Sequence, residues 1–156
     1  MLTSALYVVF LLFGCGFQLR DQDSSSQRIN AVQLNTHKHI KIATKQLIAK
    51  QLNAHNVRVL PDAHYRLTIN ELSASKRLAA SSRSSFNDRF LLRQTLLATL
   101  THGDKQWPLS TYAERVYDDD RNTPSAKALE LNSINHELSV QVIDELASQV
   151  RSFNSP

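Results

Sequence analysis

The segment from Lys76 to Arg93 has the residue types of a site that binds an anion beside apolar groups. It holds five cations but one acid, Asp88, and its aromatic residues are Phe86 and Phe90. Lysine and arginine pair with phosphate oxygens, so cations interleaved with aromatic rings suit a phosphorylated lipid headgroup with adjoining acyl chains. A hairpin kept soluble by surface charge would have the same composition. The candidate binding residues of this segment are Lys76, Arg77, Arg83, Arg89 and Arg93.

Metal binding and catalysis find less support in the residue pattern. His37 and His39, the closest of the six histidines, point to different sides in a helical turn, and no carboxylate completes a ligand set. Asp118–Asp120 lack the alternating ligands and the glycine of a calcium loop. We expect them just before the final helix, where acids suit the positive end of the helix dipole. With no glycine-rich phosphate loop and no Gly-x-Ser-x-Gly motif, we expect no metal, no cofactor and no enzymatic activity.

Cys15, the only cysteine, follows an apolar segment at the start of the chain. Residues 5–13 are too few to span a bilayer, which takes ~20 apolar residues, but have the length of a signal-peptide core. Leu12-Phe13-Gly14-Cys15 looks like a bacterial lipobox, although Met1–Ser4 lacks a cation and Phe13 is bulky. We therefore expect cleavage before Cys15 and covalent lipid on its thiol and amine. The alternative is a buried strand with a chance cysteine.

Lipid on Cys15 would anchor the protein to a membrane without a spanning segment, because each buried CH₂ contributes ~0.8 kcal/mol. Gly16, rather than aspartate, follows the cysteine and favours the outer membrane. The polar, serine-rich residues 21–28 suit a short tether. The net charge is +4. An exported protein rarely meets nucleic acid, and this charge is compatible with binding the phosphates of lipopolysaccharide without requiring it.

The composition predicts one globular domain. The chain has 156 residues, of which 42% are hydrophobic and 21% charged, enough for a single core and unlike a disordered or collagen-like chain. Hydrophobic periodicity predicts an α+β fold, a two-layer sandwich in which two helices pack on one side of a mixed sheet, in the order β-α-β-β-β-β-α. The strands are expected at 29–34, 57–60, 65–78, 90–101 and 106–116, and the helices at 36–55 and about 131–150.

Connections between these elements predict the pairing of the strands. The first strand, helix and second strand form a right-handed crossover that pairs the two strands in parallel. Antiparallel hairpins follow at residues 79–87, an exposed tip, and at residues 102–105. Residues 90–101 are apolar on both faces, which is typical of a central strand or of one covered by a partner.

The order of these features resembles the LPS-assembly lipoprotein family LptE (formerly RlpB). The resemblance rests on the opening Gly14–Arg20, on Tyr117–Asp120, and on Ala128–Asn132 leading into an amphipathic C-terminal helix. It implies a plug in a 1:1 complex with the outer-membrane β-barrel LptD, which the protein helps to assemble, and direct binding of lipopolysaccharide. It places Arg83 at the hairpin tip as a contact. Lys127 is a weaker second candidate, since Leu131 stands where the family has a lysine.

This interpretation divides the chain into a signal peptide (1–14), a lipidated N-terminus and tether (15–28) and one LptE-like α+β domain (29–156). The protein is expected at the outer membrane, on its periplasmic side and in the barrel lumen. The alternative from another class is a free-standing periplasmic lipoprotein that binds a small ligand or a peptidoglycan component.

Overall fold

The computed structural model describes residues 28–81, 87–120 and 124–153. Their elements follow the predicted order and form a helix layer against a mixed sheet, which confirms the α+β class. Cys15 and the tether up to residue 27 lie outside the described residues. The elements are β1 (Ala31–Thr36), α1 (Ile42–Ala54), β2 (Arg58–Val59), β3 (Tyr65–Ser81), β4 (Asn87–His102), β5 (Lys105–Asp120) and α2 (Pro124–Ser152).

The five strands form one sheet in the order β2-β1-β3-β4-β5. β1 lies between two parallel neighbours and pairs Val32 with Val59 of β2 and with Tyr65 of β3. The remaining pairs, β3 with β4 and β4 with β5, are antiparallel. The parallel pairing of β1 and β2 and the hairpin at residues 102–105 are therefore confirmed.

An irregularity at Asn70 changes which side chains of β3 face the core. Leu67 and Ile69 are fully buried before it, and the register with β4 shifts between Ile69 and Glu71. Because side chains alternate along a strand, the extra residue moves Leu72 onto the core side in place of Glu71. The Asn70 amide donates a hydrogen bond to Thr99 Oγ1 at 2.8 Å. This is the shift of face predicted for the third strand.

One face of the sheet and the inner sides of both helices form the core. On β4 the buried residues are every second one from Leu92 to Leu100, as the sequence predicts. On α2 a stripe spaced by four residues is buried, and its burial follows from the helical period. These α2 residues, each 2% exposed or less, are Leu138, Val142, Leu146 and Val150.

The first helix begins later than predicted. Thr36, expected to cap it, is the last residue of β1 and pairs with Ile69 of β3. The next backbone amide, His37 N–H, also donates to Ile69 O at 3.3 Å. Pairing with β3 therefore extends the strand, and α1 starts at Ile42 after a turn. No side chain caps its first turn.

The acidic triplet is part of a strand. Residues 118–120 continue β5 opposite the first residues of β4, with Asp118 opposite Arg89 and Asp120 opposite Asn87. These acids were expected just before the final helix; they precede α2, which begins at Pro124, but as part of β5, because sheet pairing continues to Asp120. Likewise, both hairpin strands extend beyond the predicted 79–87 tip boundaries, to Ser81 and from Asn87.

β4 is central in the sheet, but the described part of the chain covers only one of its faces. The helices cover the side of Leu92 and Leu96, whereas Leu97 on the opposite side is 37% exposed. Of the two readings of its apolar pattern, the central position is confirmed. No helix within the described residues is long and apolar enough to cross a membrane.

We expect Leu146→Ala to lower the free energy of unfolding by about 2–5 kcal/mol, because it leaves a cavity under α2. Leu129→Ala is the matched control, since Leu129 lies on the same helix but is 74% exposed, and should change stability by less than ~0.5 kcal/mol. Urea denaturation of both variants measures this. Equal losses for the two would contradict the packing of α2 described here.

Candidate functional site

Four of the predicted binding residues lie at the end of the sheet where the β3–β4 connection falls. We call this part, residues 76–81, 87–93 and 114–120, the distal hairpin. Arg83 falls outside the described residues, between the end of β3 and the start of β4. The sheet register places Lys76 opposite Leu92 and Arg77 opposite Leu91. The candidate cations thus sit on neighbouring strands.

The pleat of the sheet divides these cations between two faces. Directly opposed residues of an antiparallel pair share a face, and residues two apart along a strand share it too. Arg77 therefore lies with Arg89 and Arg93 on the face turned away from the helices. Lys76 lies on the helix side with Leu92. The described cations of the basic segment thus divide into two groups, three arginines on one face and a lysine on the other.

Lys76 lies over aromatic rings of the same chain. Its Nζ is 3.8 Å from the centroid of the Phe90 ring and 5.7 Å from that of Tyr117. Tyr117 is only 2% exposed. Cation–π attraction of this kind holds the ammonium group over the ring faces. The predicted alternation of cations and aromatics is therefore satisfied within the fold on this side.

Acidic residues of β5 face two of the three arginines. Arg89 Nε donates to Asp118 Oδ1 at 2.9 Å in an exposed pair. Arg93 Nε is 3.2 Å from Glu114 Oε1 without the alignment of a hydrogen bond, and its guanidinium lies 4.3 Å from the Tyr112 ring. The excess of five cations over one acid along residues 76–93 is thus reduced when β5 pairs with β4.

Arg77 differs from its neighbours on this face. It is exposed, and within residues 28–81, 87–120 and 124–153 it makes no ion pair or hydrogen bond. No carboxylate of these residues would have to be displaced for Arg77 to bind an anion. Among the described arginines of the distal hairpin, Arg77 is therefore the best placed to bind a phosphate.

Lys127 lies at the same end of the molecule as the distal hairpin. α2 runs antiparallel to β5, because Thr111 Oγ1 donates to Val142 O at 2.9 Å and Arg115 pairs with Glu137 further along. The part of α2 between Glu137 and Lys127 therefore lies toward the C-terminal end of β5. Lys127 is half-buried on the helix side of the sheet, the side that also holds Lys76.

Exposed apolar residues accompany the arginines, and the sequence did not single them out. Tyr112 is 59% exposed and Val116 is 56% exposed, both on the helix-free face. Leu91, opposite Val116, adds to this surface. The alternating pattern of residues 106–116 could have predicted these exposed residues, because the residues between the buried ones must face outward. Arginines beside apolar side chains could contact a phosphate and an adjoining acyl chain together.

His37 and His39 lie in the turn before α1 rather than in a helix, and the expectation that they point to different sides is wrong. The rings of His37 and His39 stack at 5.9 Å between centroids. Within the part of the chain that the structure describes, no group of three or more His, Cys, Asp or Glu residues could hold a metal ion.

Three solved lipoproteins share this fold. Rare lipoprotein B from Shewanella oneidensis matches with a TM-score of 0.62 and 19% identity, over 78% of this chain and 90% of that chain. A minor lipoprotein from Acinetobacter baumannii matches with a TM-score of 0.56 and 21% identity, over 78% of this chain and 87% of that chain. Lipoprotein B from Nitrosomonas europaea matches with a TM-score of 0.60 and 18% identity, over 88% of this chain and 92% of that chain. No protein-family model and no curated protein sequence matches the chain. At these identities the likeness establishes a shared fold.

We expect the ion pair of Arg89 and Asp118 to contribute little to folding. Both side chains are more than half exposed, 64% and 57%, and such pairs contribute less than ~1 kcal/mol. A double-mutant cycle of Arg89→Ala and Asp118→Ala, followed by urea denaturation, measures the coupling. The less exposed pair of Arg93 and Glu114 is the comparison and should couple more strongly. A coupling well above ~1 kcal/mol for Arg89 and Asp118 would make Arg89 a structural residue, unavailable to a ligand.

Proposed function

We propose that the chain is a lipoprotein of the LPS-assembly family LptE (formerly RlpB), which plugs an LptD-type outer-membrane β-barrel, assists its assembly and binds lipopolysaccharide during transport. The observation that carries this proposal is the fold shared with rare lipoprotein B from Shewanella oneidensis over 90% of that chain. The opening Gly14–Arg20, which resembles the family independently of the fold, supports it.

Anchoring at the outer membrane is part of the proposal. The apolar N-terminus and the lipobox ending at Cys15 supply the acylation signal, and Gly16 favours the outer membrane. The solved structures of similar fold are lipoproteins. Residues 1–14 would be removed, and residues 15–28 would link the lipid to the domain that begins at Ile29.

The helix-free face of the distal hairpin is the proposed lipopolysaccharide surface. Arg77, Arg89 and Arg93 lie on this face, and Arg83 stands in sequence between β3 and β4. Phosphate oxygens would bind the guanidinium groups by charge-assisted hydrogen bonds. The apolar Leu91 beside them is suited to an acyl chain. Lys76 and Lys127, on the helix side, would form a separate contact.

The exposed apolar residues support a protein partner as well. Leu78 is 53% exposed on the helix side of the distal hairpin, and Val116 is 56% exposed beside Leu91 on the opposite face. Exposed apolar patches usually mark an interface. A surrounding barrel wall would cover them. A free-standing binder would instead need an enclosed pocket, and the cleft of about 300 Å³ beside Leu72 and Gln94 is open to solvent.

Affinity purification of the tagged full chain from detergent-solubilised outer membranes tests the partner. One large β-barrel recovered in equimolar amount would support the plug, and depletion of the protein should reduce maturation of that barrel. Recovery of the protein alone from well-solubilised membranes would contradict the proposal that it plugs a barrel and would favour the free-standing lipoprotein.

We expect Arg83→Glu to weaken lipopolysaccharide binding by about tenfold or more, because it replaces a charge-assisted hydrogen bond with repulsion of a phosphate. The fold and the association with the barrel should be unchanged. Arg58→Glu makes the same charge change on the exposed β2 at the other edge of the sheet, and should leave binding intact. Titration with purified lipopolysaccharide compares the two. Equal affinities for Arg83→Glu and the original chain would remove Arg83 from the site without affecting the barrel test.

A further inference from the structure

β5 is an edge strand whose outer backbone groups have no strand partner within the described residues. It pairs with β4 alone, in an unbroken register from Lys105 to Asp120. The two-residue turn at Gly103-Asp104 makes His102 and Lys105 the first hydrogen-bonded pair. Hydrogen-bonded and non-hydrogen-bonded pairs then alternate. Odd-numbered residues of β5 therefore bond to β4, and even-numbered residues point their N–H and C=O groups outward.

Among the residues that the structure describes, a protective feature lies at only one end of this edge. Pro108 is even-numbered, so its backbone nitrogen faces outward and the lack of an N–H costs no hydrogen bond to β4. This is the position expected for proline in an edge strand. From Ser110 to Asp118 there is no proline, no glycine, no lysine and no bulge. These are among the devices that usually prevent a sheet edge from pairing with another chain. Charged side chains are another, but those of this stretch, Glu114, Arg115 and Asp118, are each paired within the chain. The stretch 110–118 is thus an open template for a further strand.

An acidic cleft lies directly beside this template. Its volume is about 400 Å³, and it is bounded by Ser110 and Tyr112 of β5 and by Asp144 and Glu145 of α2. No lysine or arginine lines it. Glu145 accepts a hydrogen bond from Gln149 Nε2 at 3.3 Å, whereas Asp144 is bound to His55 Nε2 at 2.8 Å. Negative charge thus borders the helix side of the edge, in a chain whose net charge is +4.

We propose that the β5 edge binds an extended, lysine- or arginine-bearing segment of another polypeptide as a sixth strand. The segment would hydrogen-bond to the outward groups of Ser110, Tyr112 and Glu114. Neighbouring strands lie ~4.8 Å apart and side chains alternate in direction, so every second side chain of the segment points to the helix side. A basic side chain there reaches the cleft beside Glu145. Backbone pairing would give affinity, and the cleft would select a cation.

A second copy of this chain fits the edge less well. Within residues 110–118 of a second copy, the cation on the helix side is Arg115. This arginine is already paired with Glu137 of its own chain. Two copies paired through β5 would bring two acidic clefts together. This proposal concerns the outward backbone groups of β5 rather than the arginine side chains of the neighbouring face, which it meets at Tyr112 and Glu114, and it does not depend on the proposed function.

The test uses the full chain in detergent and a panel of nine-residue threonine peptides, each with one lysine at a successive position. A matching panel carries glutamate in place of lysine. We expect lysine peptides of one alternating set of positions to bind about tenfold or more tighter than their glutamate counterparts. Bound peptide should slow amide hydrogen exchange at Ser110, Tyr112 and Glu114. Equal binding of both panels, or no binding by any lysine peptide, would overturn the proposal.

Two pairs of variants separate the backbone and charge contributions. Ser110→Pro removes one outward N–H without touching the ladder to β4, and should abolish peptide binding, whereas Ser110→Ala should retain it. Glu145→Gln should reduce the preference for lysine by about tenfold. The control is Glu130→Gln, on the same helix but away from the cleft. It should leave the preference for lysine unchanged. Unchanged binding by Ser110→Pro, or self-association that Ser110→Pro abolishes, would contradict the assigned occupant.

Discussion

Burial of one face of the long strands under α2 sets the position of the other groups described here. The stripe from Ile134 to Val150 needs an apolar partner, and every second residue of β4 supplies it. Because side chains alternate along a strand, covering one face leaves the other to solvent or to a partner. The arginine face of the distal hairpin, the exposed Val116 and the open β5 edge all follow from this single-sided core.

Polar groups in this core fix how α2 lies on the sheet. Gln94 is 6% exposed, donates to Asn135 O at 2.9 Å and accepts from Ser139 Oγ at 2.8 Å. Thr111, 2% exposed, donates to Val142 O. Buried polar groups are costly unless they are hydrogen-bonded, so a sliding helix would lose these partners. The same contacts align α2 antiparallel to β5, which places Lys127 beside the distal hairpin.

Cross-strand pairing controls the charge that a ligand would meet. Glu114 and Asp118 lie more than twenty residues from the arginines they face, yet the β4–β5 register brings each opposite its partner. Exposed pairs of this kind are weak, so they hold the guanidinium groups in place without preventing exchange for a phosphate. Arg77, whose opposite residue is the apolar Leu91, needs no such exchange.

The sequence by itself determined the order of elements, the parallel β1–β2 pair, the buried stripes of β4 and α2, and the shift of face in β3. These follow from local hydrophobic periodicity and turn residues such as Gly103, which each segment carries within itself. Only the tertiary structure decided that Thr36 belongs to β1, that Asp118 faces Arg89 and that Arg77 shares a face with Arg89 and Arg93. The alternation of side chains is local, but strand register depends on residues distant in the chain, and periodicity along one segment holds no information about its neighbour.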